Sequence, residues 1–413
     1  MRSSDLEQMV EPFLAASAAD FANFATAVEA HSRLIEVAAR PQGRKMRGFR
    51  TNEVLALTGL TLNQFRTWRI ANRDSLEIFQ NIADGDPAPP FTVITLAELH
   101  RLMDDFGIRP HKPDGSRAMR MGIFNFKGGS TKSTTTYHLS TWAAIHGYRV
   151  LVIDADPQGS LSDLFGVRTD IVDEKHTLAP AYRAVTSRDL FDQAHLEPLS
   201  THIDGLDIVP ASLDMIGSDF DITAAFMNDR NTAAGFYTVV ARAIASVEDN
   251  YDLIFIDGAP SFSFAAVATF WSVDGMIVPM PPVSPDFKAT GKFCEMASTA
   301  LESLCIRAGC PDRLWAPFMV IHNRVRRNAT TEEIRKASTA TFGRFKVEDV
   351  IPENPGVAAA LAMSMSVFEA TSAEINPETL KVARDAYDLI CRRVIGAIRT
   401  AWSQGIAKAE DPA

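Results

Sequence analysis

Residues 121–136 read MGIFNFKGGSTKSTTT, and the character of the whole chain turns on them. A short apolar run over 121–126 has the length of a buried strand. It stops at Lys127-Gly128-Gly129-Ser130-Thr131-Lys132-Ser133-Thr134, and an amphipathic pattern over 135–146 predicts a helix. Strand, glycine turn and helix start, in that order, are what a phosphate-binding loop requires. Glycine lets the backbone approach a phosphate with no Cβ in the way. The first helical turn offers free N–H groups and the positive end of its dipole to the anion. Lys132 has the reach to contact the β- and γ-phosphates, and the Ser133 hydroxyl is placed to ligate Mg²⁺. The competing reading is a glycine turn with incidental lysines; the flanking strand and helix weigh against it.

Downstream, apolar strands alternate with helical patterns, which predicts a mostly parallel, twisted sheet covered on both faces: an α/β P-loop NTPase fold. The run over 149–154 ends in Asp154-Ala155-Asp156, and the run over 251–257 ends in Asp257. Strand ends are where ligands sit in such sheets. Asp154 and Asp156 suit Mg²⁺ and an attacking water, with a pair of capping aspartates as the plainer reading. Asp257 closes a Walker B-like strand and would hold Mg²⁺ through water. Further strands are predicted at 206–220 (a strand then a loop), 273–279 and 318–324. A terminal helix is predicted within 377–408, with Val382, Leu389, Ile390, Val394, Ile398 and Trp402 along one side.

The 413 residues carry a net charge of −10, with 46% hydrophobic and 22% charged content. These are ordinary globular values, and DNA contact has to come from local basic patches. One lies at 40–73, where Arg66 and Arg69 stand among eight cations against a single acid, Glu53. Thr51 reads as the N-cap of a short helix carrying Val54, Leu55 and Leu57. Gly59 makes a turn, and Thr61 caps a second helix with Leu62, Phe65 and Trp68 inward. Two short helices around a glycine form a helix-turn-helix. The second would expose Asn63, Gln64, Arg66, Thr67 and Arg69 to DNA; a solvated basic helix pair is the alternative. The four cysteines have no Cys-x-x-Cys spacing, which argues against a zinc site or disulfide frame and for a reducing cytosol. The N-terminus lacks the pattern of a signal segment, and no window has the length of a membrane span.

These motifs resemble those of the deviant Walker-A ATPases, the ParA/MinD group. Lys127 resembles that family's signature lysine, which reaches across a dimer to the partner's nucleotide. The resemblance implies that ATP is held by the loop from Lys127 through Thr134 (Gly128, Gly129, Ser130, Thr131, Lys132 and Ser133 between), with Mg²⁺ at Ser133, Asp154 and Asp257. It implies that Asp156 orients water beside Lys127 and Lys132, and that Asn323 pairs with adenine. Arg326, Arg327, Arg335 and Lys336, within a basic cluster running to Lys346, would make sequence-independent DNA contacts. Two departures stand out: Thr131 where most P-loops have glycine, and Gly258-Ala259-Pro260 where the family has a small residue then Pro-Pro.

With the helix-turn-helix, the chain resembles large plasmid- or replicon-partition ParA proteins, including the RepA proteins of repABC replicons. This implies a cytoplasmic, nucleoid-associated homodimer that hydrolyses ATP slowly and is stimulated by a ParB-like centromere-binding protein. It also implies operator binding and autoregulation through the N-terminal domain. The expected organisation is a helical, possible dimerisation segment (1–40), a winged helix-turn-helix (41–106), a linker (107–119), the ATPase domain (120–407) and a tail (408–413). The alternatives are an ATP-liganded transcriptional repressor, a MinD-like membrane-associated ATPase and a metabolic P-loop enzyme. Acids near the C-terminus argue against a membrane-binding tail.

Overall fold

Four apolar runs form the centre of an eight-stranded sheet: β3 (Met119–Ile123), β4 (Val150–Asp154), β7 (Leu253–Asp257) and β8 (Gly275–Met280). Every residue in them is buried. Such strands are mostly apolar because parallel sheets are covered on both faces; the buried exceptions are Arg120 in β3 and the terminal Asp154 and Asp257. The computed structural model describes residues 44–76, 93–186, 194–228, 232–311 and 313–408, together with Thr26. Apart from Thr26 and Arg44 these belong to one unit, Lys45–Ala413. The expectations for residues 1–40 (Thr26 apart), the proline loop at 84–90 and the tail beyond 408 fall outside the described residues.

The remaining strands are β5 (Leu199–Ser200), β6 (Leu206–Val209), β9 (Phe318–Val325) and β10 (Lys346–Pro352). The order is β10-β9-β8-β3-β7-β4-β6-β5. All neighbours pair parallel except β5, which runs antiparallel to β6. Strand alternation divides the core: Val150 and Val152 join one apolar cluster, Leu151 and Ile153 the other. Burying each such side chain contributes about 2 kcal/mol.

The helix Lys132–Ile145 follows β3 and is buried from Thr135 to Ile145 on every side. The amphipathic pattern expected here is therefore corrected, since this helix lies in the interior. Two of its buried hydroxyls turn back onto its own carbonyls, Thr136 Oγ1 to Lys132 O at 3.0 Å and Ser140 Oγ to Tyr137 O at 3.1 Å. The terminal helix Pro377–Ser403 buries Leu380, Tyr387, Ile390, Val394, Ile398 and Trp402. Val382 and Leu389 lie at its exposed edge, 52% and 42% accessible, against expectation. The stretch after β6, expected to be a loop, instead forms the helix Met215–Asn228. No helix among the described residues is long and apolar enough to cross a membrane.

Upstream, β1 (Phe49–Arg50) pairs antiparallel with β2 (Val93–Ile94). The helices Thr51–Thr58 and Leu62–Ala71 flank Gly59, whose φ of 70° makes the left-handed turn. Arg50, not Thr51, is the first N-cap; its N–H donates to Glu53 Oε2 at 3.0 Å. Thr61 caps the second helix in a reciprocal box with Gln64. Val54, Phe65 and Trp68 face inward, but Leu62 is 38% exposed, because it sits in the first helical turn where the face is still open. Trp68 Nε1 donates to Asp105 Oδ2 at 2.7 Å, tying this pair to the helix Leu96–Asp105. That helix docks through His100 Nε2, 2.7 Å from Ala144 O at the end of the helix Lys132–Ile145. The stretch 107–118 has no helix or strand. It is pinned to the residue before β7 by Lys112 N to Asp252 Oδ1 (3.0 Å) and to the turn after the terminal helix by Arg117 N to Ala407 O (2.9 Å).

Candidate nucleotide site

The C-terminal ends of β3, β4 and β7 meet at one edge of the sheet, where Ile123 and Asp154 are both register partners of Asp257. The loop 124–131 leaves from that edge. Asn125, fully buried, anchors it: Nδ2 donates to Pro279 O (3.0 Å) and Thr290 Oγ1 (3.2 Å), and Oδ1 accepts from Lys127 N (3.2 Å). Gly129 has φ of 76° and Thr131 φ of 70°. A Cβ added at Gly128 or Gly129 would meet nothing within 4 Å. The loop therefore faces open space, and its backbone is shaped to take an anion there. The conformation is unfavourable for a residue with a Cβ, so Thr131 is held in it by neighbours. Asn323 Nδ2 donates to Ser130 O (3.3 Å) and to Thr131 Oγ1.

Lys132, the first helical residue, is 6% exposed. Burial lowers the proton affinity of its ammonium, while Asp257 and Asp156 act in the opposite direction. Asp154 is fully buried; its Oδ2 accepts from Ser162 N (2.8 Å) and Ser162 Oγ (2.7 Å), and its Oδ1 accepts from Asp156 N (3.2 Å). Burial outweighs these bonds and pushes its carboxyl up to about 7. Asp257 is raised first by burial and then by Asp154, with Ser133 and Lys132 favouring the charge. Neither of its oxygens has a hydrogen bond of good geometry. Asp156 is 8% exposed, and its Oδ1 accepts from Gln158 N at 3.0 Å.

These features fit a nucleotide polyphosphate and a divalent cation. The two oxygens of Asp257, together with Ser130 Oγ, Thr135 Oγ1 and Asn323 Oδ1, are buried without hydrogen-bond partners, and such groups need partners. No group of three or more His, Cys, Asp or Glu side chains among the described residues forms a cage for a metal. Mg²⁺ bound here would rest on Ser133, the strand-end acids, phosphate oxygens and water. Beside the loop, Thr131, Thr134, Asn323, Pro352 and Tyr387 help to line a cavity of about 380 Å³, of a size for a nucleoside.

Some predicted residues stand differently. The donor group of Asn323 is engaged with the loop, while its Oδ1 is buried without a hydrogen-bond partner. Lys127 Nζ is paired with Asp286, itself nearly buried at the start of the helix Ser284–Ala308. In the second basic cluster, Arg327 and Lys336 are exposed. Arg326 is paired with Glu353 (2.5 and 2.8 Å) and Arg335 with Glu332 (3.0 Å). Lys346 leaves the cluster altogether, being buried in β10 with Nζ 3.3 Å from Glu348. In the helix pair, Asn63, Gln64, Arg66 and Thr67 are exposed. Arg69 is half-buried, and its guanidinium lies 5.9 Å over the Phe65 ring. Sequence reasoning missed Asn125, Ser162, Asp286 and Tyr387; only Asn125 lies near enough to the motif to draw notice.

The Gly258-Ala259 departure has a steric counterpart. A Cβ at Gly258 would fall 2.1 Å from Phe124 Cδ1, and Phe124 stacks on Phe270 with ring centroids 4.0 Å apart. Glycine is required where that ring crosses the strand end.

A helix-opening glycine loop on a central parallel strand, with acids closing the neighbouring strands, defines a P-loop NTPase. Comparison with known proteins narrows the class. A family model described as an AAA domain matches residues 119–297. The chain is 24% identical over 374 residues to a protein named replication protein A in Sinorhizobium fredii, covering 89% of this chain and 90% of that one. It is 30% identical over 255 residues to the chromosome partitioning protein ParA of Caulobacter vibrioides, covering 60% of this chain and 85% of the relative. A solved structure described as a partition protein shares the fold with a TM-score of 0.61 at 18% identity, covering 92% of this chain and 98% of that one. The chain belongs to the ParA family of partition ATPases.

Proposed function

We propose that this chain is an ATP-dependent DNA-segregation switch. It binds ATP–Mg²⁺, pairs with a second copy, and hydrolyses the nucleotide slowly until a ParB-like partner accelerates turnover. The observation that carries this reading is the juxtaposition of an open glycine cradle, a buried Lys132 and the unpartnered carboxylate of Asp257. Lys132 and the loop N–H groups from Gly128 to Thr134 bind the phosphates. Ser133, Asp257 and Asp154 orient the cation, which when bound neutralises charge on the terminal phosphates. Asp156 orients the attacking water. Lys127 leaves Asp286 and reaches the nucleotide of the second copy. Asn323 and the cavity beside it take the base.

In this reading residues 41–106 form an operator-binding domain, with Asn63, Gln64, Arg66, Thr67 and Arg69 on the recognition side, and autoregulate expression. Arg326, Arg327, Arg335 and Lys336 make sequence-independent contacts to nucleoid DNA in the cytoplasm. The γ-phosphate holds one dimer geometry, and its loss abolishes it.

The test is nucleotide binding and turnover, with and without DNA and a ParB-like protein. Lys132→Ala should lose ATP binding, and Asp156→Ala should bind ATP yet not hydrolyse it. Tight ATP binding by Lys132→Ala would refute the site. Turnover that stays negligible with DNA and partner present would leave ATP as the ligand of a repressor instead.

A further inference from the structure

A second cavity, of about 710 Å³, lies away from the nucleotide loop, between the helix Thr51–Thr58 and the start of the terminal helix Pro377–Ser403. Four cations line it: Arg47, Arg50, Lys381 and Arg384. Its two carboxylates are already engaged. Glu53 takes Arg47 Nη2 at 2.8 Å and the Arg50 N–H at 3.0 Å, and Asp385 is paired with Lys381 one turn away. Arg47 also donates to Phe368 O (2.7 Å) and Gly48 O (3.1 Å). Arg384 is different. Its Nε donates to Val367 O at 2.6 Å and its Nη2 to Ala370 O, so the acceptors given to this cation are neutral carbonyls. Burial, and then the neighbouring Arg47 guanidinium, lower its pKa to about 10, an unusual value for arginine. Two guanidiniums beside one shared carboxylate leave an excess of positive charge facing the cavity. Ser372 and Thr371 supply hydroxyls at the rim, although Thr371 Oγ1 is held by Glu374.

We infer that this cavity is a phosphate-binding site distinct from the nucleotide loop, in which Arg384, Arg50 and Lys381 receive either a backbone phosphate of bound DNA or the phosphate of a free small ligand. Arginine suits this task because its planar fork pairs two phosphate oxygens at once. The walls explain why the site sits where it does. One side belongs to the helix pair assigned to DNA. The other runs from Thr371 to Asp385, and its Arg384 is bonded to Val367 O, the residue whose N–H donates to His138 Nε2 at 3.2 Å in the nucleotide-loop helix.

The inference is tested on the full chain with the nucleotide loop disabled by Lys132→Ala, so that phosphate binding there does not count. One arm measures thermal stabilisation by inorganic phosphate against chloride at equal ionic strength. The other measures the salt dependence of binding to mixed-sequence duplex DNA. Each arm compares Lys132→Ala with the same chain carrying Arg50→Gln and Lys381→Gln; these leave the carbonyl bonds of Arg384 intact and guard against misfolding. Phosphate-specific stabilisation that disappears in the altered chain, with an unchanged DNA slope, assigns a free ligand. A slope of log K against log salt that falls by about one to two assigns a DNA phosphate, with or without the phosphate effect. No phosphate-specific stabilisation together with an unchanged slope overturns the inference. ATP turnover in the Arg50→Gln, Lys381→Gln chain with Lys132 restored should match wild type, which separates this site from the one that hydrolyses ATP.

Discussion

Lys127 and Asp286 form an ion pair within one chain, joining the first residue of the glycine loop to the opening turn of the helix Ser284–Ala308. Asp286 is 3% exposed, whereas the lysine side chain remains 37% accessible. If Lys127 serves a nucleotide on a second copy, this pair has to open first. Asp286 is then a counterweight to dimer formation. Asp286→Asn keeps the shape and frees the lysine. Relative to wild type, it should raise ATP-dependent dimer formation by roughly fivefold, corresponding to about 1 kcal/mol for a partly exposed pair. Light scattering across a protein dilution series with ATP reads this directly. An unchanged or weaker dimer would show that Asp286 does not restrain Lys127.

His138 gives a pH dependence with a defined sign. Its ring is buried, stacks on Tyr387 with centroids 3.9 Å apart, and its Nε2 accepts the Val367 N–H. It is therefore the neutral Nδ1–H form, and Nδ1 donates to Thr134 O at 2.7 Å. Burial lowers its pKa from 6.5 to about 4. Between those values the unfolded chain binds a proton that the folded chain does not. The contribution of this histidine is thus complete above about 6.5 and is lost as pH falls toward 4. His146 and His322 are lowered to about 4 as well, also chiefly by burial. Denaturant titrations of wild type and His138→Gln from pH 7.5 to 4.5 should show wild type losing stability more steeply. Parallel curves would remove His138 from this role.

Asp154 is shifted in the opposite direction, upward, by burial, and the shift bears on the proposed cation. A carboxyl pushed up to about 7 is partly protonated at neutral pH, and if Asp154 holds the cation as proposed, a proton there competes with Mg²⁺. Affinity for Mg²⁺–ATP should therefore weaken as pH falls from 8 to 6, and Asp154→Asn should flatten that dependence while lowering affinity overall. Titration with a fluorescent ATP analogue at fixed ionic strength measures both. The same slope in wild type and variant would place the titrating group elsewhere.

What the sequence displayed and what it concealed follow from the range of the interactions involved. The central strands are legible because a parallel strand buried on both faces is apolar along most of its length, as β7 is through residues 253–256 before Asp257 closes it. The glycine loop is legible because its function is local: backbone N–H groups, one lysine and one hydroxyl within eight residues. Ser162 was invisible because it meets Asp154 only after the chain turns through Gly159 and enters the short helix Ser160–Leu164. Asp286 lies 159 residues from Lys127, and no spacing rule joins them. The helix Met215–Asn228 is hidden in the sequence because Ile216, Phe220 and Met227 are exposed on it while its buried face runs through Met215, Ser218 and Ile222, so the apolar residues do not trace the buried side. The terminal helix is legible, but its buried stripe is narrower than its apolar one and leaves out Val382 and Leu389. A helix on a sheet edge buries less than its apolar face allows.

Thr131 and Asn323 yield the sharpest test of the nucleoside cavity. The threonine holds a left-handed backbone conformation that disfavours a Cβ by about 1 to 2 kcal/mol. Its hydroxyl accepts the Asn323 amide, a bond of about 1 kcal/mol net. Thr131→Gly removes both, so global stability should change by no more than about 1 kcal/mol. The consequence for recognition is larger. With Nδ2 released from the hydroxyl, the Asn323 side chain can present a donor as well as an acceptor to a base edge. Adenine needs both, so discrimination of ATP over GTP should rise several-fold in Thr131→Gly and collapse in Asn323→Ala. Competition binding with the two nucleotides decides it. Equal preference in wild type and Thr131→Gly would mean that the threonine hydroxyl does not withhold this amide from the base.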